Sequence, residues 1–406
     1  MDTIIEEPIG KYADVTDYVA NGSFASLKEN VIAKDETDYA VMVRLTDFNH
    51  GWKGPFRYVT KESFDFLSKS VVVPGDLIIA NIGANAGTPF LASDLGKPMT
   101  LGPNAVLVKS DISDYLYYYF ASHEGKHKLN SIIGGGAQPK FNKTEFRGLK
   151  ISVPSAPIRK NIVGILSSLD NKIELNRKMN ETLEEMGHTL FRHWFVNFEF
   201  PWDFKKNEFS WEGKPYKSSG GKMVESELGE IPKGWSVGGV LDVANKLSLP
   251  YKCEKKDLDP NGEVPIIDQG ASGIYGYTSR QADFIASRED PVILFTNHTC
   301  NFWYIDFPFC AIQNVIPMRG KRGYDTEFVY FITKKSIAFN EYKGHWPEFE
   351  TKRFVIPQER IIKEFSKTAQ ISLESISSNN RETQTLIKIR DLLLPRLMSG
   401  KLRIRV

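Results

Sequence analysis

The sequence predicts an α+β protein built twice: two globular units of mixed helix and strand, separated by two long helices that pair as an antiparallel coiled coil, with pseudo-two-fold symmetry inside one chain. Three observations predict it. Two long amphipathic stretches each follow a proline-marked boundary, the first after Pro154 and Pro157 and the second after Pro357. Pro154 and Pro357 lie 203 positions apart (357 less 154), half of the 406-residue chain. Short echoes recur at matching places: DVTDYVAN (14–21) faces VLDVANK (240–246) where each unit begins, and LKISVP (149–154) faces RFVIP (353–357) where it ends. The expected divisions are a first unit over 1–153, a long helix over 154–198, a linker over 199–224, a second unit over 225–356 and a second long helix over 357–406.

Within the first unit, VMVRL (41–45), VVVPGDLIIA (71–80) and NAVLV (104–108) suit strands, with Pro74-Gly75-Asp76 as a turn. Apolar residues Leu116, Tyr119 and Phe120 give the run 113–129 a helical spacing, opened by Ser113 or Asp114. The Gly, Ser and Lys-rich stretch 217–222 reads as linker, and beyond it VPIID (264–268), PVILF (291–295) and AIQNVIPM (311–318) read as strands, with 327–339 helical.

The long helices carry countable seams. In the first, Ile162, Leu166, Leu169 and Ile173 step by four, three and four; Leu183, Met186, Leu190 and Trp194 resume the rhythm after the polar Asn176 and Asn180. In the second, Ile362 and Phe365 open the apolar face, Ile376 continues it, and Leu386, Ile389, Leu393 and Leu397 close it, with Ser377 to Asn380 as the matching polar patch. About 35 residues at 1.5 Å each give roughly 50 Å per helix, so the pair is expected to act as a spacer. If the polar interruptions meet, they fix its register. A single amphipathic helix ordinarily packs on its own domain; two, equally placed after two similar units, favour pairing with each other.

Composition sets the function classes. The chain is 41% hydrophobic and 12% aromatic, enough for more than one core. Lys and Arg nearly balance Asp and Glu, leaving a formal charge of +2, so any basic surface must be local. Cys253, Cys300 and Cys310 form no CxxC pair and have no histidine at zinc spacing, which fits a reducing cytoplasm and no bound metal. The first residues show neither a basic n-region nor an apolar core, and no run approaches the roughly 18 apolar residues of a membrane span, so a soluble, unprocessed chain is expected.

Catalytic motifs are weak. His123-Glu124-Gly125-Lys126-His127 satisfies HExxH, yet Asn130 and Ile133 stand where an extended zinc-protease motif needs glycine and histidine, and Glu145 lies beyond three glycines and Pro139. A solvated polar helix end is the plainer reading. GGGAQPK (134–140) and GASGIYG (270–276) fit neither nucleotide-binding glycine pattern, and no [DNS]PP[YF] run of an amino methyltransferase occurs. The chain is expected to be non-catalytic.

Binding surface remains. Basic, amide and aromatic side chains interleave in loops of both units, a mixture suited to phosphates and base edges, although any single such loop is more often a solvated turn. The candidates are Lys53, Arg57 and Tyr58 in HGWKGPFRY (50–58), and Gln138, Lys140, Asn142 and Lys143 in GAQPKFNK (136–143). In the second unit they are Tyr275, Tyr277 and Arg280, then Asn297, His298 and Asn301, then Arg319, Lys321 and Arg322, and finally Lys343 and His345.

At the helices the residues carry a resemblance. The stretch ILSSLDNKIELNRKMNETLEEMGHTLFRHWFVNFEFP (165–201), the entry ELGEIPKGW (227–235), IPQERIIKEF (356–365) and IRDLLLPRLMSGKLRI (389–404) resemble the conserved regions of type I restriction-modification specificity (S) subunits. The specific motifs cover about a third of the chain. The resemblance implies two target recognition domains that each read half of a bipartite asymmetric site in double-stranded DNA, and helices that set the spacer and dock two methyltransferase (M) subunits. It implies that S-adenosylmethionine, ATP and Mg belong to the M and restriction (R) partners and no cofactor to this chain. The family's GAQPxF segment is matched at Gly136 to Phe141, whereas GHWPEFE (344–350) departs from it in the second unit. A coiled-coil scaffold with two protein-binding domains is the other reading the residues leave open, with an HExxH peptidase a distant third.

Overall fold

A computed structural model describes residues 6–270 and 273–402; Ala271 and Ser272 of the second glycine loop and residues 403–404 of the last motif lie outside the described residues. The chain divides into two compact units. Unit 1 comprises residues up to Ile173 together with those from Thr385 onward, and unit 2 is Glu174–Gln384, so each unit owns part of both long helices. No helix among the described residues is long and apolar enough to cross a membrane.

Unit 1 is built on a four-stranded antiparallel sheet. Asp14–Asp17 pairs with Ala105–Lys109, which pairs with Leu77–Ala80, which pairs with Pro89–Leu91. Leu77 to Ala80 is buried on both faces because the helix Ser113–Ala121 covers one side and a five-stranded mixed sheet shares the core on the other. The turn at 74–76 forms as expected: Gly75 takes φ +86°, and the Asp76 carboxylate accepts the Val73 N–H at 2.9 Å. The expected single helix over 113–129 is two, Ser113–Ala121 and His123–Asn130, broken where Ser122 caps the second by accepting the Gly125 N–H. Gly125 is there for space: a Cβ would meet the Tyr119 carbonyl oxygen at 2.0 Å.

Unit 2 repeats the sheet strand for strand. Ala244–Lys246, Val315–Gly320, Val292–Thr296 and Phe302–Ile305 are ordered in that sequence across an antiparallel sheet, and the helix Thr326–Lys334 covers it. The expected strand 311–318 is interrupted, because Asn314 adopts φ +69° and separates Cys310–Ala311 from Val315–Gly320. Asn104 takes the same φ of +69° before the matching strand of unit 1. The helix expected over 327–339 stops at Lys334.

The expected linker 199–224 is a correction. Pro201–Asp203 pairs with Glu208–Phe209 and with Lys214–Pro215, and Phe200, Trp202, Phe209 and Tyr216 are buried in the unit 2 core. Lys205, Lys206 and Gly213 occupy the connections between these strands and Gly220 the turn after them; Phe200 stacks on Tyr216 at 4.7 Å. Polar composition concealed aromatic residues spaced for burial.

The long helices run Ala156–Phe191 and Glu359–Met398. Within each unit their segments run antiparallel. In unit 1, Ile162 and Leu166 share a core with Leu393 and Leu397, and Arg390 bonds Asp170 at 2.9 Å. In unit 2, Asn176 Nδ2 donates to Glu382 at 2.8 Å and Thr383 at 3.3 Å, while Asn180 exchanges 2.8 Å bonds with Asn379 and Asn380. The polar interruptions therefore meet, with Asn176 fully buried. Ser377 does not join them; its hydroxyl donates to the buried Asp306. Leu169, Ile173, Leu183, Leu190, Ile376, Leu386 and Leu393 are half-buried, as a two-helix seam requires. Met186 and Ile389 depart from the predicted seam, being 60% and 40% exposed. The inward position in the first helix is Gly187, where a Cβ would lie 2.4 Å from the Phe331 ring, so the face has drifted by one residue, as a 3.6-residue helix does against a strict seven-residue count.

Candidate nucleic-acid interface

In both units, one asparagine after the third sheet strand holds a loop. In unit 1 that strand is Leu77–Ala80, and Asn81 follows it: its carbonyl accepts the Phe141 N–H at 3.1 Å and its Nδ2 donates to the Phe141 carbonyl at 3.2 Å. Gly83 N–H adds a bond to the Pro139 carbonyl at 2.9 Å, and Gly134 and Lys140 close the loop with reciprocal bonds of 2.9 and 2.8 Å. Gln138 and Lys140 stand exposed on this anchored loop. Asn142 is exposed but occupied, capping Lys143–Gly148 by accepting the Thr144 and Glu145 N–H groups at 2.9 Å. Lys143 pairs with Asp17 at 2.9 Å.

In unit 2, Asn297 follows Val292–Thr296. Its carbonyl accepts the His345 N–H and its Oδ1 accepts the Trp346 N–H, both at 2.8 Å. Asn81 and Asn297 also donate their own N–H groups to Asn104 and Asn314, at 3.0 and 2.9 Å. Each unit thus builds one loop support from the same parts. His298 N–H donates to Gln269 Oε1 at 2.9 Å, and its ring stacks 4.9 Å from Tyr342.

The structure sorts the predicted residues. Lys53 is exposed, while Arg57 and Tyr58 are half-buried at the five-stranded sheet, where Arg57 Nη2 donates to the Ala33 carbonyl at 2.8 Å. Tyr275 and Arg322 are exposed and Tyr277 half-buried. Arg280 lies over the Tyr251 ring at 3.8 Å, Arg319 pairs with Asp290 at 2.9 Å, and Lys321 donates to the Leu241 carbonyl. Asn301 is turned onto Gln269 and Thr299, and Lys343 pairs with Glu341 at 2.7 Å, which raises the lysine's pKa.

His345 is a correction. It is fully buried, with Nε2 3.0 Å from the Glu341 carbonyl, and it supports the loop from inside. Tyr342 was missed, although it is 79% exposed and stacked on His298. Asn81 was missed too; the signal was an asparagine closing both LIIAN (77–81) and LFTN (294–297). His123 and His127 are exposed, and the one potential metal-ligating cluster among the described residues lies elsewhere, at Cys253, Asp283 and Cys310.

Residues 10–185 match the family described as the type I restriction modification DNA specificity domain. The chain is 27% identical over 320 residues to the type I restriction enzyme MjaIX specificity subunit of Methanocaldococcus jannaschii, covering 72% of this chain and 70% of that protein. It is 22% identical over 417 residues to the HindI specificity subunit of Haemophilus influenzae, covering 82% and 88%. A solved structure of a type I restriction-modification S subunit from M. genitalium aligns over 98% of this chain and 97% of that one, with a TM-score of 0.55 at 13% identity, a likeness of fold.

Proposed function

We propose that this chain, which belongs to the type I restriction-modification DNA specificity family, reads a bipartite asymmetric site in double-stranded DNA, one half with each unit. The repeated loop support carries this reading: an asparagine at the end of the same strand anchors a side-chain-bearing loop in each unit. Basic residues neutralise phosphates and position the units, while exposed residues such as Gln138, Lys140, Tyr275 and Tyr342 address base edges and stacks. Binding falls steeply with salt, since each neutralised phosphate releases counterions.

In this reading the paired helices measure the distance between half-sites and are two-fold related. Support comes from register: Lys150 and Arg353 begin matching strands, Ala156 and Glu359 begin the long helices, and Asn176 bonds the Asn379 carbonyl at 3.4 Å, each pair 203 positions apart. Contact between two copies of one position is what an axis through the pair requires. Met186 and Ile389 are also 203 apart, and both expose an apolar side chain on the helices, which supports docking of two methyltransferase subunits there. Those partners, with R subunits in the full cytoplasmic complex, carry S-adenosylmethionine, ATP and Mg; this chain supplies recognition and no catalysis.

The test is to lengthen both helices by one whole turn beside the Asn176 region and map methylated sites in cells supplying the M partner. Both half-sites should persist with a longer spacer. Unchanged spacing would refute the ruler, and absence of salt-dependent DNA binding would return the chain to the scaffold reading.

A further inference from the structure

Unit 2 holds a second chemical grouping, apart from the loops. Cys253, Asp283 and Cys310 bring two sulfurs and a carboxylate oxygen within 4.8 Å of one another. Three backbone-bonded segments present them. The Cys253 N–H donates to the Ala311 carbonyl at 3.0 Å, next to Cys310. Phe284 and Phe309 exchange backbone bonds of 3.1 and 3.0 Å, which seats Asp283 on the other side of Cys310. Donors fixed by backbone pairing are preorganised for a ligand.

Both thiols are free and buried. The Asp283 side chain is only 9% exposed, and its Oδ2 has no hydrogen-bond partner. A buried carboxylate oxygen without a partner is costly unless something positive meets it. Arg280 pairs with the other oxygen, Oδ1, at 3.8 Å, beyond hydrogen-bond distance, while its guanidinium lies over the Tyr251 ring.

We propose that Cys253, Asp283 and Cys310 bind a thiophilic divalent cation of the zinc type. Two thiolates and one carboxylate suit such a cation, and their charge is balanced by the cation together with Arg280, so the buried group is neutral. The Gln281 carbonyl, which accepts from Cys310 Sγ at 3.6 Å, offers a further oxygen beside the site. Ligation takes each sulfur as the thiolate, so binding expels a proton from each and weakens in acid. The local core explains the use of a cation. Among the described residues, the buried members of that cluster are Cys253, Ile266 and Cys310, with Tyr251, Leu258, Val264 and Ile312 packed against them. A cation joining three segments stabilises a layer with so little apolar area of its own.

Titration of the reduced, chelator-stripped full chain with cadmium tests this through the cadmium-thiolate ultraviolet band. The band should saturate at about one cadmium per chain and be reversed by zinc. It should vanish in Cys253→Ser and Cys310→Ser and persist in Cys300→Ser. Asp283→Asn, which keeps shape and so folding, should weaken affinity about tenfold or more. No band in the parent chain, a band surviving in both cysteine variants, undiminished affinity in Asp283→Asn, or a Cys253–Cys310 disulfide in freshly purified protein would each overturn the proposal.

Discussion

Unit 1 closes its core on the long helices with aliphatic side chains, and unit 2 closes three of the same four positions with aromatic ones. Ile162 and Leu166 in unit 1 stand 203 positions from Phe365 and Ala369 in unit 2; Leu397 and Met398 stand 203 from Trp194 and Phe195. All eight are buried. Phe365 with Ala369 sets a large side chain beside a small one where Ile162 with Leu166 sets two of equal size, so the second core redistributes size along the helix and keeps the burial pattern. Cores tolerate such exchanges when total volume and pattern hold. The two units share which positions face inward and differ in the chemistry that fills them.

The largest expected difference follows from that contrast. Trp194 meets Phe195, Phe209, Trp211 and Phe365 within ring-contact distance, so Trp194→Ala should cost about 3–5 kcal/mol. Leu397→Ala, at the matching position, should fall at the lower end of about 2–5 kcal/mol because smaller aliphatic neighbours collapse more readily. Hydrogen exchange locates the loss: protection should fall within 174–384 for the tryptophan variant and within unit 1 for the leucine variant. Equal costs at the two positions would break the comparison.

Acid should separate the units next. His188 in unit 2 is buried against Phe331, and burial lowers its pKa to about 4, with Lys335 and Lys334 opposing its charge and Glu184 favouring it. The native state keeps the ring neutral while the unfolded chain protonates it below about 6.5, so stability is full above 6.5 and declines as pH falls toward 4. The loss is about 2–3 kcal/mol at most. The matching residue of unit 1 is the exposed Asp391, not a buried histidine. Urea unfolding from pH 7 to pH 4 should show a shallower acid loss in His188→Gln; a parallel slope would remove His188 from the explanation.

What the sequence made legible was periodic, and what it hid depended on contact between distant residues. The repeat, the two long helices and the alternating strands followed from proline boundaries and apolar spacing, which act locally. Polar residues were misjudged because composition does not report which way a side chain turns. His345 looked like a loop contact and is a buried support; 199–224 looked like a linker and contributes Phe200, Trp202, Phe209 and Tyr216 to a core. Cys253, Asp283 and Cys310 showed no motif because three separate segments bring them together. Among the recognition candidates, Gln138, Lys140, Tyr275 and Arg322 remained exposed, whereas Asn142, Arg280, Asn301 and Arg319 were already engaged within the fold.

The finest contrast is between the two loop-holding asparagines. Asn297 uses its side-chain oxygen to accept the N–H of Trp346, a residue only 9% exposed, whereas Asn81 uses its side-chain nitrogen to donate to a carbonyl that retains a second lone pair. Removing an acceptor strands a donor that has no alternative; removing a donor leaves a carbonyl, which tolerates a lost partner better because it has two lone pairs. Asn297→Ala should therefore cost about 1–3 kcal/mol and Asn81→Ala about 0.5–1.5 kcal/mol. Asn297→Asp should retain most of the lost stability, because a carboxylate oxygen still accepts, while Asn81→Asp should not, having lost its donor. In methylation mapping with the M partner, each alanine variant should relax one half-site and leave the other intact. If Asn81→Ala proves the more damaging in denaturant, donor and acceptor roles are not what distinguishes the two supports, and the larger loop over 134–143 must depend on its asparagine for more than this bond.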